Sequence, residues 1–481
     1  MSIVRDLQKI CGKDAVLHRS EDLMLYEYDA GVDRGAPLAV IFPETTEQVS
    51  AIMSLATSAG ISVVPRGAGT GLSGGAIARD KAIVLGLSRM NKIIEIDVPN
   101  RRAVVQPGVV NLDLTLAVAQ QGFYFAPDPS SQRACTIGGN VAENAGGPHT
   151  LAHGVTVNHV TGLEVVLPSG RIINLGGRVG PGSGYDLTGF FVGSEGTLGI
   201  ATKITVKLTR VPESVATLLG IFNTIEDAAN TVVALTAAGI TPAALELLDG
   251  WTLRTVEEAT HAGYPMDSGA VLLIELEGMR EVVEEQALQV AAVCTQVGAR
   301  ELRRAKDEKE RQLLWAGRKN AFGAIGRISP SYYVQDGVIP RTRIPDTLRH
   351  IAAVAVKYDL TIGNIFHAGD GNLHPLILFD SRDAAQTERT LAAGREILEY
   401  CVSVGGSITG EHGVGMEKIE MMSLMFTDDD IDTMTSLRNA FNPRSTLNPQ
   451  KIFPTTRSCR ETMGSAHPMA GLGAPAEINV R

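Results

Sequence analysis

Short apolar runs separated by glycine-rich polar stretches make up the first 210 residues. Ala39-Val40-Ile41-Phe42, Ile61-Ser62-Val63-Val64 and Arg102-Ala103-Val104-Val105-Gln106 read as short strands. Before the second of them, Thr45 with Gln48 three positions on forms a capping box, and Val49, Ile52, Met53 and Ala56 recur at helical spacing. The pattern predicts an N-terminal helix and loop over 1–35. Strand, helix and strand follow and deliver the stretch 65–75 at a strand's end, as in a βαβ unit. A further helix is predicted from about Asn111 to Gln121. Residues 160–167 and 171–175 flank Pro168-Ser169-Gly170 and predict a hairpin, and 200–208 predict another strand.

After Val211-Pro212 glycine thins out and helix formers and charges increase. Residues 231–239 and 280–297 carry amphipathic helical patterns, whereas 270–276 read as a strand; helices covering an antiparallel sheet would make a second domain. A strand over 332–336 ends before Gly337. Two more, over 362–367 and 373–379, are joined by Ala368-Gly369-Asp370-Gly371-Asn372, whose Asp-Gly pair signals a turn. Residues 455–481, rich in Gly, Ala and Pro, read as a disordered tail.

Composition narrows the function classes. The 481 residues suffice for about three units of ordinary domain size. A net charge of −10 argues against nucleic acid and against a basic membrane-binding face. No apolar run reaches the roughly 18 residues needed to span a bilayer. The N-terminus has no signal-peptide core, so a cytoplasmic protein is expected, peripheral to a membrane at most through a partner. Cys11, Cys135, Cys294, Cys401 and Cys459 form no C-x-x-C pair and read as reduced thiols rather than cluster ligands.

Candidate chemistry sits in the glycine clusters. In Pro65-Arg66-Gly67-Ala68-Gly69-Thr70-Gly71-Leu72-Ser73-Gly74-Gly75, five of eleven residues are glycine, so backbone N–H groups can line a concavity and approach an anion. The loop is neither G-x-G-x-x-G nor a Walker sequence, and a flexible surface loop is the competing reading. A second cluster spans Pro127-Asp128-Pro129-Ser130-Ser131, Thr136-Ile137-Gly138-Gly139-Asn140 and Glu143-Asn144-Ala145-Gly146-Gly147-Pro148-His149, suggesting another wall of the same site. A third is Gly193-Ser194-Glu195-Gly196-Thr197-Leu198-Gly199-Ile200. Further on, the hairpin turn brings His367 and His374 near one another, and Gly410-Glu411-His412-Gly413 supplies a carboxylate and a third imidazole. Two histidines and a carboxylate suit a divalent transition metal, against the plainer reading of polar residues satisfied in a core. Arg318, in Trp315-Ala316-Gly317-Arg318-Lys319, reads most simply as a surface helix charge.

These glycine clusters with Gln106-Pro107-Gly108-Val109, in this order, resemble the FAD-binding domain of vanillyl-alcohol-oxidase-type flavoproteins. The resemblance implies an α+β chain with a two-subdomain FAD-binding domain and an α+β cap domain with an antiparallel sheet. Arg66, Gly67, Ala68, Gly69, Thr70, Gly71 and Ser73 would lie at the diphosphate. Pro127, Thr136, Gly138, Gly139, Asn140 and Asn144 would lie near diphosphate and isoalloxazine, and Gly196 to Ile200 at the adenosine end. Covalently flavinylated members often carry a histidine in the first glycine loop; none is present, which implies non-covalent FAD.

The second half resembles FAD-linked 2-hydroxyacid dehydrogenases, a family including D-lactate and D-2-hydroxyglutarate dehydrogenases and the glycolate oxidase flavin subunit. By that resemblance His367, His374 and Glu411 bind the metal, zinc first and manganese or iron otherwise. His412 is the substrate-side base, Arg318 holds the substrate carboxylate, and the closing segment with Asn448 returns to the flavin domain. The implied layout is an FAD-binding part at 1–210, a substrate domain at 211–425, the returning segment at 426–455 and the tail at 456–481. Val334 stands where dicarboxylate enzymes tend to have lysine. The expected reaction is oxidation of a small 2-hydroxy acid, of the glycolate or D-lactate type, to the 2-oxo acid, with hydride passing to flavin N5. Alternatives are a D-2-hydroxyglutarate-type dehydrogenase, a metal-dependent hydrolase using 367, 374 and 411 to activate water, and a non-catalytic flavin-binding subunit. Onward electron transfer would use an iron–sulfur partner subunit, a quinone or an electron-transfer protein.

Overall fold

The computed structural model describes residues 2–179 and 184–454; the tail expected at 456–481, with Cys459, lies outside them. The chain divides into two compact units. Of the described residues, the first gathers those up to 146, 154–211 and 411–454; the second holds 147–153 and 212–410.

In the first unit the helix α1 (Ser2–Cys11) precedes β1 (Val16–Leu17), β2 (Ala39–Ile41), α2 (Thr46–Ala59), β3 (Val63–Arg66), β4 (Ile83–Gly86), β5 (Ile93–Asp97) and β6 (Arg102–Val105). Then come α3 (Asn111–Val118), α4 (Ile137–Glu143), β7 (Val160–Val166), β8 (Ile172–Gly176) and β9 (Ile200–Lys207). Thr45 caps α2 by accepting the Gln48 N–H at 3.2 Å, while the Gln48 amide accepts from Glu44 N–H at 2.7 Å, one residue before the position a capping box would use. Val49, Ile52, Met53 and Ala56 form its buried face.

A four-stranded sheet runs β1-β2-β4-β3 and a five-stranded one β5-β6-β9-β7-β8. The strand expected to stop at Val64 continues through Pro65 and Arg66, because β4, which the apolar pattern did not single out, pairs with it in parallel from Val63–Ile83 to Arg66–Gly86. Proline offers no N–H to a ladder, and its place in the terminal strand of this sheet is where that loss is tolerated. The glycine loop therefore starts at Gly67. Residues 446–448 run beside β3, with Val63 N–H donating to Thr446 O and Asn448 N–H to Val63 O, both at 2.8 Å.

The second unit contains β10 (Ser214–Phe222), α5 (Ile225–Ala237), β11 (Ala244–Asp249), α6 (Gly250–Thr260), β12 (Ala270–Gly278), α7 (Arg280–Val297), β13 (Glu301–Arg304) and α8 (Glu308–Lys319). It continues with β14 (Ser331–Val334), α9 (Ile344–Tyr358), β15 (Thr361–His367), β16 (Pro375–Phe379) and α10 (Ala384–Ser403). Its seven strands form one antiparallel sheet in the order β13-β10-β12-β11-β15-β16-β14. The helix expected over 231–239 begins earlier, at Ile225, because Thr224 caps it by accepting the Asp227 N–H. β11 is buried at every position, so its two ionisable residues, Glu246 and Asp249, must find partners inside the protein. Back in the first unit, α11 (Asp428–Phe441) opens with a Thr427/Asp430 capping box and three acidic residues that suit the positive end of a helix. Among the described residues no helix is long and apolar enough to cross a membrane.

Candidate active site

The glycine loop leaves β3 directly after Arg66, whose side chain is 8% exposed and lies 5.6 Å from the Tyr26 ring centroid. Gly69, at φ +72°, would drive a Cβ into the Arg66 guanidinium at 2.2 Å, so the loop folds over its own arginine. Burial lowers the Arg66 pKa, opposed by the negative charge of Asp29, and its Nη1 has no hydrogen-bond partner in the protein. A buried cation with an open donor beside side-chain-free backbone fits an anion such as a dinucleotide diphosphate. A Cβ on Gly67 would meet Thr136 Oγ1 at 2.5 Å, which brings the first and second glycine clusters together at that point.

Thr136 caps α4 by accepting the Gly139 N–H at 3.2 Å. Gly138 is held against Pro107, where a Cβ would come within 2.5 Å of the ring. Asn140 accepts from Asn111 Nδ2 at 2.9 Å, and the same amide donates to the Pro127 carbonyl at 2.9 Å; Asn140 and Pro127 are thus knit into the wall itself. Asn144 accepts the Val157 N–H at 2.8 Å. Ile200 is fully packed in the core, whereas Asn448 Nδ2 bridges Gly75 O at 3.1 Å and Glu195 O at 2.6 Å. Ala68 is exposed, Thr70 is half-buried, and the Gly71 carbonyl accepts the Ala30 N–H at 3.0 Å.

The segment after Gly410 is fastened to the same loop. Ser73 Oγ donates to the His412 carbonyl at 2.9 Å, and the Ser73 carbonyl accepts the Met416 N–H at 2.8 Å. The Glu195 carboxylate accepts the Val414 and Gly415 N–H groups at 2.8 and 2.7 Å. A Cβ on Gly413 would lie 2.6 Å from Glu143 Oε2 and 2.7 Å from Glu195 Oε1, so the half-buried Glu143 and the buried Glu195 share one small space. Burial, with the charge of Glu195 added, holds Glu143 well above the usual carboxylate range; burial also raises Glu195, against its two N–H donors. Sequence reasoning placed Glu195 and Glu143 only inside motifs and gave them no role.

In the second unit the tip of the β15–β16 hairpin carries both expected histidines, 4% and 2% exposed. Their rings stand edge to face at 5.1 Å and offer nitrogens within 4.8 Å of one another. His374 Nδ1 donates to the Gln335 carbonyl at 3.2 Å, and His367 Nδ1 lies 2.6 Å from Glu246 Oε1. Histidines whose Nδ1 is engaged by a carbonyl or carboxylate present Nε2 outward, as metal ligands do, so the donor set fits a divalent metal. The Asp336 carboxylate also reaches within 4.8 Å of a His374 nitrogen. It accepts Thr409 Oγ1–H at 2.5 Å and the Gly410 N–H at 3.0 Å, fixing the residue to which Glu411 is covalently joined. Glu411 and His412, 3.7 Å apart at Oε1 and Nε2, open the C-terminal segment of the first unit.

Arg318 is no surface charge. It lies near the end of α8 at 1% exposure, its Nε donating to Glu246 Oε2 at 2.6 Å while Nη1 and Nη2 are buried without a protein partner. Two parallel open donors on a fixed guanidinium are complementary to a carboxylate. Glu246, which joins Arg318 to His367, was absent from the sequence-based site; its signal was a single ionisable residue within the apolar run Ala243-Ala244-Leu245-Glu246-Leu247-Leu248. Val334 is buried at the end of β14.

Known proteins match both parts of this geometry. Residues 37–176 match the family described as FAD binding domain, and residues 211–452 the family described as FAD linked oxidases, C-terminal domain. The chain is 47% identical over 453 residues to the glycolate oxidase subunit GlcD of Escherichia coli K12, covering 94% of this chain and 91% of that one. It is 34% identical over 436 residues to a D-lactate dehydrogenase of Archaeoglobus fulgidus, covering 89% and 95%. Among solved structures, p-cresol methylhydroxylase superposes with a TM-score of 0.81 at 20% identity, over 94% of this chain and 96% of that one. The 4-ethylphenol oxidase of Gulosibacter chungangensis gives 0.78 at 20% identity, over 94% and 97%. Those two likenesses concern the fold, which is the α+β vanillyl-alcohol-oxidase type.

Proposed function

The chain belongs to the FAD-linked oxidases and is an FAD-linked hydroxy acid oxidoreductase, and from that premise we propose that it oxidises a small 2-hydroxy acid of the glycolate or D-lactate type to the 2-oxo acid. The observation that carries the proposal is Arg318, a fully buried arginine with two unpartnered N–H groups, since a small carboxylate is the ligand that satisfies both. Arg318 binds the substrate carboxylate and fixes its orientation. His412 takes the hydroxyl proton, for which an imidazole is suited near neutral pH. Arg66 and the loop from Gly67 to Ser73 hold the diphosphate of a non-covalent FAD, and the second and third glycine clusters complete its binding wall. His367, His374 and Glu411 would hold a divalent metal, zinc first and manganese or iron otherwise. When bound, such a metal would supply acidification of the substrate hydroxyl, and FAD would supply the acceptor, at N5, for the Cα hydrogen as hydride. Ser73 and Glu195 keep the His412 turn against the glycine loop.

The buried, apolar Val334 favours a monocarboxylate over a D-2-hydroxyglutarate-type substrate. Electrons leave to a partner: the glycolate oxidase relatives are themselves described as subunits, which supports a partner subunit, here proposed to be an iron–sulfur protein, with a quinone or electron-transfer protein as other acceptors and a membrane-peripheral location through that partner. The test is the metal and flavin content of purified wild-type and His367→Ala protein. One divalent ion lost with FAD retained is expected, and an unchanged metal content in the variant would remove His367 from the site.

A further inference from the structure

We propose that Glu246 is a positioning residue that couples the two ends of the site, setting at once the orientation of His367 as a metal ligand and the direction in which Arg318 presents its outer N–H groups to the substrate carboxylate. This inference rests on the roles proposed above for His367 and Arg318. Glu246 and His367 stand directly opposite one another in the antiparallel β11–β15 pair, so their side chains leave the sheet on one face. Each carboxylate oxygen has its own partner at 2.6 Å, Oε1 with His367 Nδ1 and Oε2 with Arg318 Nε, at the short end expected of charge-assisted bonds.

The carboxylate is fully buried, and such a charge persists only where partners compensate it. Because Glu246 occupies Arg318 Nε, the plane of the guanidinium is fixed and its Nη1 and Nη2 edge is what remains for a ligand. Because its carboxylate engages His367 Nδ1, a metal would meet the ring at Nε2. A glutamine at 246 keeps the shape but offers one acceptor and one donor. The amide oxygen stays with the charged Arg318 Nε–H, the stronger donor, and the NH2 group then faces His367 Nδ1–H, so the bond that orients the histidine breaks. An aspartate keeps the charge and is one methylene too short to span both partners.

The experiment uses full-length holoenzyme at matched FAD content and measures zinc affinity by chelator competition, with KM and kcat for glycolate at saturating zinc. In Glu246→Gln the zinc dissociation constant should rise about 10- to 100-fold although the residue is not a ligand. In Glu246→Asp zinc should weaken likewise, and KM should rise about tenfold, the worth of one charge-assisted hydrogen bond, with kcat changed less. Zinc affinity and KM both within twofold of wild type, or a shift in one quantity only in Glu246→Asp, overturns the coupling. Should one variant not fold with FAD, the other still decides on zinc affinity. His367→Ala is the separate arm: full zinc retention there refutes the metal reading itself, whereas zinc loss there with an unchanged Glu246→Gln refutes only the coupling.

Discussion

Replacing Arg318 by lysine tests the carboxylate reading most sharply. The guanidinium uses Nε for Glu246 and leaves Nη1 and Nη2 for a ligand, all at 1% exposure. A lysine ammonium can still neutralise Glu246 but cannot also offer a planar pair of donors. Two hydrogen bonds to a charged group at roughly 1.5–3 kcal/mol each put the loss at about 3–6 kcal/mol, or at least about 100-fold in kcat/KM at 1.36 kcal/mol per tenfold. The loss should appear chiefly in KM, because a carboxylate is held equally in ground and transition states. Arg318→Ala would add a different effect: it strands the buried Glu246 charge, a destabilisation of about 3–5 kcal/mol visible in thermal unfolding. The assay is anaerobic stopped-flow reduction of the flavin against 2-hydroxy acid concentration, with the melting temperature measured alongside. A lysine variant whose kcat/KM stays within threefold of wild type would refute the reasoning.

Three further outcomes are expected. His412→Ala should abolish flavin reduction while leaving FAD bound; reduction at the wild-type rate would remove His412 as the base. Gly67→Ala should lose FAD during purification and melt lower by about 1–3 kcal/mol, because the new Cβ meets Thr136 Oγ1 at 2.5 Å and that hydroxyl is committed to capping α4; a variant retaining full FAD would count against this packing. Burial pushes the Asp29 carboxyl from 3.8 up to about 6, so the folded state holds its proton more tightly than the unfolded chain and stability falls as pH rises from about 4 to 6. Asp29→Asn should therefore match wild type near pH 4 and become the more heat-stable protein above pH 6; equal melting at both pH values would show that Asp29 carries no such cost.

The parts of the site written as local runs were legible before the structure. Glycine clusters announce themselves because each glycine sits within a few positions of the next, and His367 and His374 because an eight-residue turn segment contains both. Glu246 was not, since its partners lie 72 and 121 residues away, His367 brought opposite it by cross-strand register and Arg318 delivered by α8. Arg318 was misread because α8 is rich in charges, although its place four residues after Leu314 and three after Trp315 puts it on the buried face of the helix. The start of the glycine loop was placed at Pro65 by composition, but parallel pairing with β4 carries the strand on to Arg66 and makes that arginine the rigid root of the loop. Length and burial of β11 are likewise properties of the seven-stranded sheet rather than of its own six residues.

The central claim is that bound flavin is reduced by a small 2-hydroxy acid. Anaerobic titration of the purified protein with glycolate, D-lactate, L-lactate and D-2-hydroxyglutarate, following flavin absorbance, tests it directly. Bleaching by glycolate or D-lactate at concentrations that leave the flavin oxidised with D-2-hydroxyglutarate is predicted; a flavin left oxidised by all four acids, or a protein without flavin, would contradict it.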